Sequence, residues 1–83
     1  MSWNVQWSPV AARDLWEIPW KTAANVDASV MAFAQGRPYS GKLEKMTAHD
    51  PYRIRLRLRG AVALLWIEPM SRTLHVSRVF SSS

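Results

Sequence analysis

Apolar and polar residues alternate at the start of the chain, where Trp3, Val5 and Trp7 are interleaved with Asn4, Gln6 and Ser8. A period of two marks a short strand with one apolar face. Ser8-Pro9 then supplies an N-cap and a proline at the first helical position, where a missing N–H costs nothing. Ala11, Leu15 and Ile18 form the apolar stripe of a short helix that Pro19 stops. A second helix is expected from about Trp20 to Gln35, with Ala23, Val26, Val30 and Phe33 as its stripe. Gly36 sits where a left-handed cap belongs, and Pro38 lies just beyond. Residues 37–51 read as a loop containing Pro38, Gly41 and Pro51, in which Leu43 to Met46 has room for one turn or a short extended piece.

The last third is rich in strand signals. Tyr52 to Arg59 alternates strictly, and Gly60 is the natural hairpin punctuation. Ala61 to Ile67 is continuously apolar, as expected of a central strand covered on both faces. Glu68 to Arg72 reads as a turn and Thr73 to Phe80 as a final strand. The alternation of that strand breaks near Ser77-Arg78-Val79, where a bulge or the strand's end would re-aim Arg78. Ser81 to Ser83 is expected to fray. The order strand, helix, helix, strand, strand, strand predicts one α+β domain over residues 1–83. It has two layers: an antiparallel four-stranded sheet, with the N-terminal helical hairpin on one face. The first strand must join that sheet, because it cannot stand alone.

Composition narrows the class. A chain of 83 residues buries a modest fraction of its surface, so the five Trp, two Phe and four Met matter to the core, and most of the tryptophans are expected there. The absence of Cys excludes disulfides and thiolate metal sites and fits a reducing compartment. Met1 to Asn4 carries no secretory pattern, and the run from Ala61 to Ile67 is far too short to span a membrane. The expectation is a soluble, cytoplasmic protein. Its net charge of +5 is uneven, with −1 over residues 1–35 and +6 over residues 36–83. Such a field steers a polyanion or an acidic protein, although a basic surface also serves solubility alone.

The most unusual feature is the row Arg53, Arg55, Arg57 and Arg59, with Ile54, Leu56 and Leu58 on the opposite face. Same-face neighbours on a strand are about 6.6–7 Å apart, so four guanidinium groups repel one another. An external anion relieves that most simply, and guanidinium binds phosphate bidentately. Lys42, Lys45 and His49 in the preceding loop, and Arg78 on the final strand, are placed to extend the surface. The plainer explanation is a solvated sheet face that discourages aggregation.

Other chemistry is sparse. His49 and His75 are the two histidines, without ligand spacing to Glu44, Asp50 or Glu68, so no metal site is expected. Three glycines cannot build a phosphate loop, and no small-molecule cofactor is implied. His49-Asp50 is the one candidate acid–base pair. Tyr52 could stack on a base or pack half-buried. Trp16 and Trp20 lie off the helix stripes, and as an exposed pair they would mark a protein-binding patch.

Three segments, in this order, resemble the RelE/ParE superfamily of toxin–antitoxin toxins. They are Val5 to Leu15 (V-Q-W-S-P-V-A-A-R-D-L), then Lys42-Leu43-x-x-Met46 ahead of Tyr52-Arg53-Ile54-Arg55-Leu56-Arg57, and finally Ala63 to Ile67 with Leu74 to Val79. The resemblance implies a toxin that binds mRNA and the ribosome, inhibits translation and is held inactive by a cognate antitoxin. It implies metal-independent endoribonuclease chemistry, in which the RNA 2′-hydroxyl attacks the adjacent phosphate while basic groups stabilise the charge. By position, Arg53 and Arg55 match the basic strand residues of the catalytic site. Arg57, Arg59, Lys42, Lys45 and Arg78 would complete the RNA-binding surface. Two departures bear on cleavage rather than on fold. Ala61-Val62 follows Gly60 where the family often has an arginine, and Phe80-Ser81-Ser82-Ser83 stands where it often has an arginine and a tyrosine. The alternative is a non-enzymatic protein of the same fold, either a ParE-like inhibitor of DNA gyrase or a degenerate member.

Overall fold

The N-terminal alternation becomes strand β1 (Asn4–Trp7), and Ser8 then caps helix α1 (Pro9–Glu17). The Ser8 Oγ accepts the Ala11 N–H at 2.9 Å, satisfying one of the donors that the first helical turn leaves open. Helix α2 (Trp20–Ala34) follows after Pro19 and buries Val26, Ser29, Val30 and Ala34. Gly36 ends it at φ 69°, with its N–H donating to the Phe33 carbonyl and the Arg37 N–H to that of Ala32. The remaining elements are strands β2 (Lys42–Lys45), β3 (Arg53–Leu58), β4 (Ala61–Glu68) and β5 (Thr73–Ser81). The structure is a computed structural model and describes residues 2–82.

The sheet has five strands in the order β1-β5-β4-β3-β2, which corrects the expectation of four. The added strand is Lys42–Lys45, whose K-L-E-K sequence holds no β-branched or aromatic residue. It forms because Leu43 pairs with Leu56 and Glu44 with Arg55 at the sheet edge. Gly41 leads into it at φ 108°, where a Cβ would sit 2.7 Å from the Arg57 carbonyl oxygen, so only glycine fits. The sheet is also mixed rather than wholly antiparallel, since β1 runs parallel to β5 at the other edge. The helical hairpin between β1 and the meander is the long connection that a parallel pair requires.

Both helices pack on one face of the sheet, as the two-layer reading expects. The core joins Ala11, Val26, Val30 and Ala34 to Ile54, Leu56, Leu58, Ala61, Ala63, Leu65, Leu74, Val76 and Val79. Strand β4 is central, but it is not covered on both faces. Ala61, Ala63 and Leu65 are buried under the helices, whereas Val62, Leu64 and Trp66 face the other way. The tryptophans are also less buried than expected: Trp3 and Trp7 only flank the core, and Trp66 is 39% exposed. The bulge in β5 falls where the alternation breaks. Leu64 pairs with Arg78 and Leu65 with Val76, leaving Ser77 as the extra residue. The tail is held further than expected, because Ser81 belongs to β5 and the Ser82 N–H donates to the Gly60 carbonyl. Ser83 lies outside the described residues. No helix among the described residues is long and apolar enough to cross a membrane.

Candidate nucleic-acid interface

The face of the sheet away from the helices is open, and the strand register fixes what stands on it. Arg53, Trp66, His75 and Gln6 form one row across β3, β4, β5 and β1. Glu44, Arg55, Leu64 and Arg78 form the next, across β2 to β5, and Lys42, Arg57, Val62 and Phe80 the third. The pleat thus sets a file of arginines on β3 beside an apolar file of Trp66, Leu64 and Val62 on β4. Aromatic and cationic groups lie side by side on this surface.

The arginines are not left to repel one another, as their sequence suggested. The Glu44 Oε1 accepts from Arg55 Nε at 3.0 Å and from Arg57 Nε at 3.1 Å. Asp50 pairs with Arg53 at 3.2 Å and accepts the Tyr52 N–H at 3.0 Å. Glu44 escaped the sequence reading because its strand did. Its carboxyl is held below the usual range, first by the hydrogen bond from Arg57; desolvation opposes this, and the charges of Arg57 and Arg55 add to the lowering. Two carboxylates thus serve three arginines, and with Lys42 in register beside Arg57 the patch keeps a positive excess. Arg55 and Arg57 meet Glu44 through Nε, and a guanidinium engaged there still carries terminal N–H donors with which to bind a further anion. The arginine side chains remain 61%, 40% and 53% exposed in chain order.

Other sequence candidates fall elsewhere. Strand β3 ends at Leu58, so Arg59 shares a two-residue turn with Gly60 and stands off the row. Lys45 pairs with the buried Ile54 and therefore points to the helix side, the reverse of what was expected of it. Arg78 donates from Nε to the Asp14 Oδ2 at 2.9 Å and lies 4.8 Å from the Phe80 ring centroid. It ties α1 to β5 as well as edging the open face. His49 is exposed in the loop, and its neighbour Asp50 is engaged with Arg53 and the Tyr52 N–H rather than with the imidazole.

One constellation went unseen in the sequence. His75 stacks on Trp66 with ring centroids 4.7 Å apart and planes 28° apart. Its Nε2 lies 3.1 Å from the Glu68 Oε1, and the Ser71 hydroxyl donates to the other oxygen of Glu68. Those hydrogen bonds, from Ser71 first and then His75, hold the Glu68 carboxyl below its usual range. The pairing depends on the register of β4 and β5, so spacing along the chain gives no sign of it. No cluster of three or more potential metal-ligating side chains occurs among the described residues.

On the opposite layer, Trp16 and Trp20 are 89% and 75% exposed, as their helix positions predict. They wall a groove of about 480 Å³ between α1 and α2, floored by Trp7, Leu15, Ile18 and Ala23, with Asp27 at its rim.

No protein-family model matches the sequence, and no curated protein does. A solved structure does match in three dimensions. It is the toxin–antitoxin complex RelBE2 from Mycobacterium tuberculosis, with a TM-score of 0.80 over 99% of this chain and 93% of that one, at 19% identity. The fold is RelE-like. At that identity the likeness is one of architecture: the α-helical hairpin and the mixed sheet superpose along nearly the whole chain, while most side chains differ.

Proposed function

We propose that this protein is the toxin of a toxin–antitoxin pair and that it inhibits translation by binding RNA on the ribosome through its open sheet face. The observation that carries this reading is the arginine file of β3. Arg53, Arg55 and Arg57 share one face of the strand and stay exposed, with only two carboxylates, Asp50 and Glu44, paired to them. Guanidinium groups at strand pitch suit successive phosphates of a single strand. Lys42 extends the file from β2, and Arg59 and Arg78 stand at its margins. In this reading Arg53 and Arg55 neutralise the phosphate at which any cleavage would occur. Glu44, the carboxylate nearest the file, is pinned by two arginines and held in its weakly basic charged form.

The likeness to a chain of a toxin–antitoxin complex supports a cognate antitoxin as the partner. The groove walled by Trp16 and Trp20 suits an apolar segment of that partner, on the layer opposite the RNA face. A translation extract tests the proposal. Added protein should arrest synthesis from a reporter mRNA, and Arg53→Ala/Arg55→Ala should not. Unimpaired translation with DNA supercoiling blocked instead would favour the gyrase-directed alternative.

A further inference from the structure

We propose that Trp66, backed by His75, is a nucleobase-stacking platform that reads the presence of a base next to the phosphate held by Arg53. The inference rests on the RNA-binding reading of the arginine file and assigns a second contact to the same face.

Trp66 is a large aromatic ring in the middle of a sheet, 39% exposed, on the face with no helical cover. A ring so placed stabilises the fold less than a buried one does, because much of its apolar surface stays in water. What surrounds it is ordered. His75 lies against one side of the indole at 4.7 Å. Glu68 fixes that imidazole through Nε2, and Ser71 fixes Glu68 in turn. The platform is therefore held in orientation before any ligand arrives, which lowers the entropy cost of stacking on it. On the neighbouring strand opposite His75, Arg53 of β3 is the direct cross-strand partner of Trp66.

Directly paired residues on one sheet face have Cβ atoms about 4.5–5.5 Å apart. One nucleotide can thus lay its base on Trp66 while its phosphate meets Arg53. Arg55 and Arg57 continue along β3 for the neighbouring phosphates, beside Leu64 and Val62. An aromatic face accepts any base, so the contact favours single-stranded RNA without strong sequence preference. A duplex cannot present an unstacked base there. The apolar file and the cation file then divide the strand between them, with bases over β4 and backbone over β3.

The test compares two ligands of equal length: a fluorescently labelled single-stranded hexauridylate, and a hexamer of abasic ribose phosphates with the same label. The wild type should bind the base-bearing hexamer ~10-fold more tightly than the abasic one. Trp66→Ala should bind both with the abasic affinity, while Trp66→Phe should keep most of the preference. Circular dichroism confirms that each variant is folded. Arg53→Ala/Arg55→Ala should weaken both ligands and leave their ratio unchanged, which separates the platform from phosphate binding. Retention of the full preference by folded Trp66→Ala would overturn the platform and leave the arginine reading standing. Failure of the wild type to bind either hexamer at low salt would overturn both.

Discussion

Asp14 on α1 accepts the backbone N–H of Val79 on β5 at 2.9 Å, and the same carboxylate accepts from Arg78. Strand β1 pairs with β5 only from Thr73 to Val76, so beyond that point the edge of β5 away from β4 faces no strand. The start of α1 takes over: Ser8 donates twice across the junction, from its N–H to the Val76 carbonyl and from its Oγ to the Ser77 carbonyl, and Asp14 accepts from Val79. A side chain here does the work of a missing strand. Replacing Asp14 by Ala strands a buried donor and an arginine together, and should cost about 2–3 kcal/mol. Arg78→Ala removes one partner and spares the backbone bond, so it should cost distinctly less. Urea unfolding of the two variants checks the order, and equal losses would contradict it.

Acid should expose the same carboxylates. Asp14 is held below its ordinary value of 3.8, by the Arg78 hydrogen bond first and the Val79 N–H second, and Glu44 and Glu68 are held below 4.5. A carboxyl whose folded value is depressed contributes stability that is fully present above its unfolded value and is lost as pH falls through the folded one. Stability should therefore be level from neutrality down to about pH 5 and decline below about 4.5. Asp14→Asn should flatten the lower part of that decline. Thermal unfolding between pH 2.5 and 7 measures it, and a wild-type curve with no acid decline would oppose the assignment.

Glu44 restrains the arginine file as well as neutralising it. Glu44→Gln should leave Arg55 and Arg57 without their anion and raise affinity for a short RNA by up to ~5-fold at low salt. Binding titrations at two salt concentrations would show the gain shrinking as screening rises. A loss of affinity would mean that Glu44 positions the guanidiniums more than it competes for them.

The tryptophans of the helical layer should be separable from fold. Trp16 and Trp20 are both largely exposed, so Trp16→Ser/Trp20→Ser should change stability by no more than about 0.5 kcal/mol. If the groove between α1 and α2 holds the antitoxin, the same pair of changes should weaken that complex by tenfold or more. Isothermal titration with the antitoxin, alongside denaturation of the free variant, distinguishes the two effects.

Much of this was legible in the chain. Ser8-Pro9, the helix stripes, Gly36, the arginine alternation and the break at Ser77 each carry a local signal, and each element formed where its signal lay. What was not legible depends on pairing. Lys42–Lys45 has no strand propensity of its own and folds because β3 offers it an edge. Missing that strand hid Glu44 from the arginines it bridges and left Lys45 on the wrong side of the pleat. Trp66 sat in an apolar run that reads as doubly covered, and only the one-sided packing of the helices leaves it open beside His75. Arg78 was correctly expected to be re-aimed by a bulge, but its partner, Asp14, lies 64 residues away.

The central claim is that the arginine file of β3 is a phosphate-binding surface. The salt dependence of binding to a single-stranded RNA tests it most directly. Each phosphate neutralised on a single strand contributes roughly −0.7 to the slope of log affinity against log salt, so three arginines predict a slope of about −2. A folded Arg53→Ala/Arg55→Ala/Arg57→Ala variant should bind weakly, with a slope shallower than the wild type's by about 2. The same affinity and slope in wild type and variant would contradict the account.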